Sequence, residues 1–185
     1  MQEPSANNDA GLRLVACAQR HHEAVRAIFN EAIVNSAALY DLQPRDEVFM
    51  REWWRAKQDG GWPVLGLEDQ GGDLLGFATY GPFRPHAAYQ HTVEHSLYIR
   101  VDQRGRGLGR RLLAELVARA RQGGFHTMIG VIDSGNEASL RLHRSMGFEA
   151  CGSIREAGRK FDRWLDLQLV QLLLAPARIG GAANR

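Results

Sequence analysis

Cysteine is nearly absent from this 185-residue chain: Cys17 and Cys151 are its only two. Such a pair makes neither a disulfide framework nor a metal spacing, and it fits a reducing compartment. Long apolar runs are also missing. None approaches the roughly 18 residues needed to cross a membrane, and the opening MQEPSANNDAG has no basic segment leading into an apolar one, so no signal peptide is evident. An excess of charge of one sign is missing too. A formal net charge of +2 supplies no global attraction to nucleic acid, so any anion site must be local. The seven histidines show no H-x-x-x-H or similar spacing, and no metal is expected. These absences leave a soluble, cytoplasmic protein with no nucleic-acid, membrane or metal partner.

What is present is ordinary globular composition, 44% hydrophobic and 24% charged, in a length that suits one domain with a real core. The polar residues 1–11 and the core-poor residues 175–185 read as mobile tails around a domain at 12–174. Between them helical and strand periods alternate. LRLVAC (12–17) is a first strand, and Val25, Ile28, Phe29, Ala32 and Ile33 mark a helix over about 22–35. A second helix covers about 45–58, entered through Pro44. Strands at 62–68 and 74–80 flank Gly71-Gly72, a hairpin signal. A strand at 92–101, a helix at 107–122 and an apolar strand at 126–132 follow. A short helix at 136–146 and two strands, 148–156 and 161–173, complete the series.

Residues 101–113 read VDQRGRGLGRRLL, three alternating glycines among arginines where a helix must start. The order strand, glycine turn, helix, strand is a βαβ unit, whose two strands should be parallel. At its tip the first helical N–H groups are unpaired and, with the helix dipole, favour an anion. Glycine lets a phosphate approach the backbone. A plain glycine turn with solvated arginines is the competing reading. The spacing is neither a Walker loop nor G-x-G-x-x-G, so an NTPase and a dinucleotide fold are disfavoured.

Arg104, Gly105, Arg106, Gly107, Leu108 and Gly109 spell R-G-R-G-L-G, which resembles R-x-x-G-x-G, the pyrophosphate loop of the GNAT superfamily of acyl-CoA N-acyltransferases. NEASLRLHRSMGF (136–148) is similar to that superfamily's next element, and the order of elements matches across 12–174. YGPFRPHAAYQHTVEHSLYI and GRKFDRWLDLQLVQL resemble, more narrowly, the bacterial branch that acetylates phosphinothricin, methionine sulfoximine and methionine sulfone. The resemblance implies an α+β fold, a mixed, centrally splayed sheet of about seven strands with about four helices. It also implies acetyl-CoA as co-substrate and a homodimer.

In TVEHSLYIRV, Val93, Leu97, Ile99 and Val101 share one face, and Thr92, Glu94, Ser96, Tyr98 and Arg100 the other, while His95 interrupts the apolar side. Glu94 is the acid–base candidate, since an ammonium must lose a proton before attacking a thioester; a cross-strand salt bridge is the plainer reading. The resemblance places a catalytic Glu here. It also assigns main-chain contacts with the coenzyme to Leu97, Tyr98 and Ile99, with the Ile99 N–H available to a developing oxyanion. Arg110, Asn136, Ser139 and, more weakly, Ser145 join the loop as coenzyme contacts, though Asn136 also suits a simple N-cap. His143 stands where the superfamily commonly has a Tyr that protonates the departing thiolate, and imidazole can protonate or hydrogen-bond sulfur. Arg84 is suited to an α-carboxylate, with Tyr89 and Ser96 as further substrate contacts and Tyr40 and Trp164 as aromatics that line either the pocket or the core.

The implied activity is acetyl transfer from acetyl-CoA to the α-amine of a small amino acid or analogue by direct attack in a ternary complex. No cysteine falls in the motifs, against a covalent acyl-enzyme. Alternatives are an acetyltransferase for protein N-termini or another amine, and a non-catalytic acyl-CoA sensor.

Overall fold

A computed structural model describes residues 11–174. The expected tails at 1–11 and 175–185 lie outside these residues, except for Gly11. Seven strands and four helices follow one another as β1 (Arg13–Ala16), α1 (His22–Asn35), α2 (Glu47–Asp59), β2 (Val64–Glu68), β3 (Leu74–Pro82) and β4 (Thr92–Ile99). Then come α3 (Leu108–Gln122), β5 (Thr127–Asp133), α4 (Glu137–Ser145), β6 (Glu149–Lys160) and β7 (Arg163–Leu173). The strands form one sheet in the order β1-β2-β3-β4-β5-β7-β6. All neighbours are antiparallel except β4 and β5, the parallel pair expected of a βαβ unit.

Two cores cover the two faces. The stripe predicted on α1 is buried in full, and Val25, Ile28 and Phe29 join Met50 and Trp54 of α2 against Phe77. On the other face Leu108, Leu112, Leu113, Leu116 and Val117 of α3 pack with Leu75, Val93 and Met128. Each such side chain contributes about 1.5–3 kcal/mol by leaving water. Helix α2 starts two residues later than expected, because Asp46 supplies the N-cap and accepts from the Phe49 N–H at 2.8 Å.

The sheet opens in its middle. β4 follows β3 through seven paired residues, and β5 follows β7 through seven, yet β4 and β5 pair only from Thr92–Thr127 to Glu94–Ile129. Beyond Glu94 each strand keeps to its antiparallel partner, and the two halves diverge. β4 also ends sooner than alternation suggests. Val101–Gln103 turn into a 3₁₀ segment, so Val101 is an exposed residue instead of the last member of an apolar face. Among the described residues no helix is long and apolar enough to cross a membrane.

Candidate active site

Gly107 is the N-cap of α3, at φ 80°, and no side chain caps the helix. Gly105 has the same φ, and a Cβ at either residue would stand in open space. That is the fit required of a phosphate cradle: left-handed backbone that glycine alone adopts cheaply, with unpaired helical N–H groups beside an empty approach. The cradle forms one end of a cavity of about 620 Å³, lined by Arg104, Gly105, Gly107, Leu108, Gly109 and Arg110 and running to Leu97, Tyr98 and Ile99. Arg104 braces the loop, with Nη2 2.7 Å from Glu31 Oε2 and Nε donating to the Ile99 carbonyl. Arg110 donates to Ser145 Oγ at 2.8 Å. Ser145 therefore supports a cradle arginine without lining the cavity, and Arg106 turns aside to Gln103. Acetyl-CoA fits this set of groups: the cradle for its pyrophosphate and the gap between β4 and β5 for its arm.

The gap presents usable backbone. The Arg100 N–H donates to the Leu75 carbonyl, and the Phe83 N–H to the Thr92 carbonyl, so even-numbered residues of β4 bond to β3. By antiparallel alternation the N–H groups of Leu97 and Ile99 point the other way, into the gap. Tyr98 does share a face with Glu94 and Ser96. Its ring, however, is packed 5.1 Å from Phe29 and 5.5 Å from Phe77, as part of the core and not a polar wall.

A second cavity of about 290 Å³ adjoins the first, with Ala38, Leu97, Tyr98, Asn136 and Ser139 common to both. Glu94, Ser96, His95, His143, Tyr40 and Asp133 line it. Glu94 sits at the last paired position before the strands part. Burial raises its carboxyl above the usual range, and Arg84, with Nη1 3.5 Å from Oε2, partly offsets this. Arg84 also lies over the Phe83 ring, 4.1 Å from its centre. Asn136 caps α4, accepting from the Ser139 N–H at 3.1 Å, and it also lines both cavities.

His143 is 2% exposed, and burial lowers its pKa. Its Nδ1 is 2.7 Å from the Ser139 carbonyl, and its Nε2 is 3.1 Å from His95 Nε2. Both ring nitrogens are thus engaged, which leaves no free N–H on His143 in this arrangement. Two of the predicted aromatics lie outside both cavities. Tyr89, 41% exposed, packs edge-on against Phe83 outside both cavities, and Trp164 stands 59% exposed on β7. Sequence reasoning missed Asp133, which accepts from the Tyr40 hydroxyl at 3.2 Å. A carboxylate closing the apolar run 127–132 was its only local sign. Neither cysteine lines either cavity, and among the described residues no cluster of histidine, cysteine and carboxylate could hold a metal.

Residues 23–148 match the acetyltransferase (GNAT) family. A methionine sulfoximine/methionine sulfone acetyltransferase of Pseudomonas paraeruginosa is 46% identical over 154 residues, 83% of this chain and 90% of that protein. A phosphinothricin N-acetyltransferase of Alcaligenes faecalis is 36% identical over 91% of this chain and 89% of its own length. Among solved structures, a GNAT superfamily phosphinothricin acetyltransferase from Sinorhizobium meliloti in complex with acetyl-CoA aligns with a TM-score of 0.87 at 32% identity, covering 94% of each chain. A split seven-stranded sheet, a glycine cradle beside the split and a matching sequence through both motifs agree, and the chain belongs to the acetyltransferase (GNAT) family.

Proposed function

We propose that the protein transfers acetyl from acetyl-CoA to the α-amine of a small amino acid analogue of the methionine sulfone or methionine sulfoximine type. One observation carries this reading: Arg84 and Glu94 form an opposed charge pair 3.5 Å apart beside the cavity that adjoins the cradle. A free amino acid is a zwitterion of matching polarity. Its carboxylate replaces Glu94 as the partner of Arg84, and its ammonium is left to Glu94. Acetyl-CoA supplies the activated acyl thioester. Glu94 takes the proton from the ammonium, directly or through water. The Leu97 and Ile99 N–H groups face the gap, placed to donate to a carbonyl oxygen there. His143 serves as a neutral wall residue whose donor is already held by Ser139.

Arg84→Ala is expected to lower kcat/KM for methionine sulfone about tenfold to more than a hundredfold, from the lost charged hydrogen bonds. Arg84→Lys recovers only part, because an ammonium lacks the two-pronged geometry. Steady-state kinetics with an amine lacking a carboxylate serves as control. Equal losses on both substrates would make Arg84 a loop support, and a wild type that acetylates only peptide N-termini would overturn the substrate class.

The far side of the cavity adds selectivity. Asp133 faces the same space as Glu94, so an anionic side chain meets two carboxylates. Methionine sulfone, with a neutral side chain, is expected to exceed phosphinothricin in kcat/KM, and Asp133→Asn to narrow the ratio. An unchanged ratio removes Asp133 from substrate selection. Within the same proposal the protein is a cytoplasmic homodimer that detoxifies such analogues. Both cysteines are free, and Ile154 of β6, Phe161 of the turn after it and Trp164 of β7 expose apolar surface, in support.

A further inference from the structure

A carbonyl oxygen only accepts, so the 2.7 Å contact between His143 Nδ1 and the Ser139 carbonyl puts the proton of a neutral His143 on Nδ1. Its Nε2 is then a bare acceptor. His95 Nε2, 3.1 Å away, must donate to it, which leaves a lone pair on His95 Nδ1. That nitrogen is buried and has no partner among the described residues. The reverse polarity would either place a cation on His143 or turn a bare Nδ1 toward the Ser139 carbonyl at 2.7 Å, with only the Ser139 hydroxyl at 3.4 Å to donate to it. Either way an unsatisfied N–H is left at His95 Nδ1, in residues 2% and 7% exposed, and this is costly in a buried site.

The fold makes room for this pair. The rings lie 4.9 Å apart and nearly parallel, and Phe148 packs edge-on against both, at 5.5 and 5.1 Å. Gly130 sits mid-strand in β5 with no positive φ to account for it. A Cβ there would stand 3.0 Å from His95 Nε2 and 2.9 Å from Val170 Cγ2. Glycine in a strand often marks such a close approach. The pairing also joins His95 on β4 to His143 on α4, 48 residues apart.

We propose that His95 is a positioning residue for acyl transfer, its Nε2–H locking His143 as the Nδ1–H tautomer against Ser139, which lines both cavities. Two consequences follow from the geometry. The first turn of α4, with Asn136 and Ser139, is held in register with β4. The cavity that receives an ammonium also keeps a cation out of its wall, avoiding like-charge repulsion. Burial acts in the same direction, lowering both histidines and taking His95 to about 3. The proposal rests on the acetyltransferase reading of this cavity.

Nitrogen NMR of the wild type, labelled at histidine and without substrate, reads the tautomers directly. The expected spectrum has His143 protonated at Nδ1 and His95 at Nε2, coupled through an N–H···N hydrogen bond, with His95→Gln and His143→Gln giving the assignments. A His143 protonated at Nε2, or averaging between tautomers, overturns the proposal. Turnover gives the second reading. His95→Gln, whose amide can still donate, should keep kcat within about threefold, whereas His95→Leu should lose about tenfold in kcat with little change in KM. Equal losses in two folded variants overturn the positioning role, and if His95→Leu does not fold, the wild-type tautomer decides. Because that spectrum needs no substrate, a wrong tautomer is distinguishable from a wrong substrate class, which appears as absent turnover on amino acid analogues.

Discussion

Glu94→Gln is expected to lower kcat by roughly 10²–10⁴-fold, the usual contribution of a positioned general base, while acetyl-CoA affinity stays close to wild type. The amide preserves the shape of the side chain at the point where β4 and β5 part, so the cavity remains while proton acceptance and the charge facing Arg84 are lost. The pH dependence carries the same signature. The base works when ionised, and burial raises its pKa above the ordinary carboxylate value of about 4.3. Activity should therefore fall on the acid side at a pH above that value, and this limb should vanish from the residual activity of Glu94→Gln. Arg84 favours the ionised form, so Arg84→Ala should move the limb to higher pH. A rate within twofold of wild type at saturating amine across neutral pH would reduce Glu94 to a partner of Arg84.

Gly107→Val should weaken coenzyme A binding about tenfold to more than a hundredfold, as charged hydrogen bonds to the pyrophosphate are displaced. The substitution does two things at once. It fills the open approach, and it forces a branched side chain into φ 80°, which costs about 1–2 kcal/mol. Gly72 separates them. In the β2–β3 hairpin it has φ 88° and equally open surroundings, and it lines neither cavity. Gly72→Val should match the loss of thermal stability and leave affinity unchanged. Calorimetric titration with coenzyme A measures one effect and thermal unfolding the other. Unchanged affinity in a folded Gly107→Val protein would remove the cradle assignment.

Local periodicity made much of the fold legible. The stripe from Val25 to Ile33 placed α1 at its observed bounds, because a helix buried on one face needs apolar residues three and four apart. The glycine–arginine loop announced an anion site for a similar reason: open backbone donors at a helix start are a property of the segment itself. Alternation, by contrast, ran β4 on to residue 101. A period of two says which face a residue takes, but not where its neighbouring strand stops pairing. Tyr98 shows the same limit, since face alone did not reveal that Phe29 and Phe77 enclose its ring.

By itself the sequence determined the α+β order of elements, the parallel βαβ unit and a glycine turn at a helix start, all of which rest on short-range pattern, whereas the contact between Arg84 and Glu94 emerged only in the fold. Tertiary structure alone decided how the acceptor cavity is built. His95 entered the reading only as an interruption of an apolar face, and its meaning depends on His143 from another element and on the room left by Gly130. Tyr40 meets Asp133 across 93 residues, while Tyr89 and Trp164, equally plausible by composition, point elsewhere. Hydrogen bonds and ring contacts act over a few ångströms, and only the folding of α4 and the loop after α1 onto the divided sheet brings such distant residues within that range.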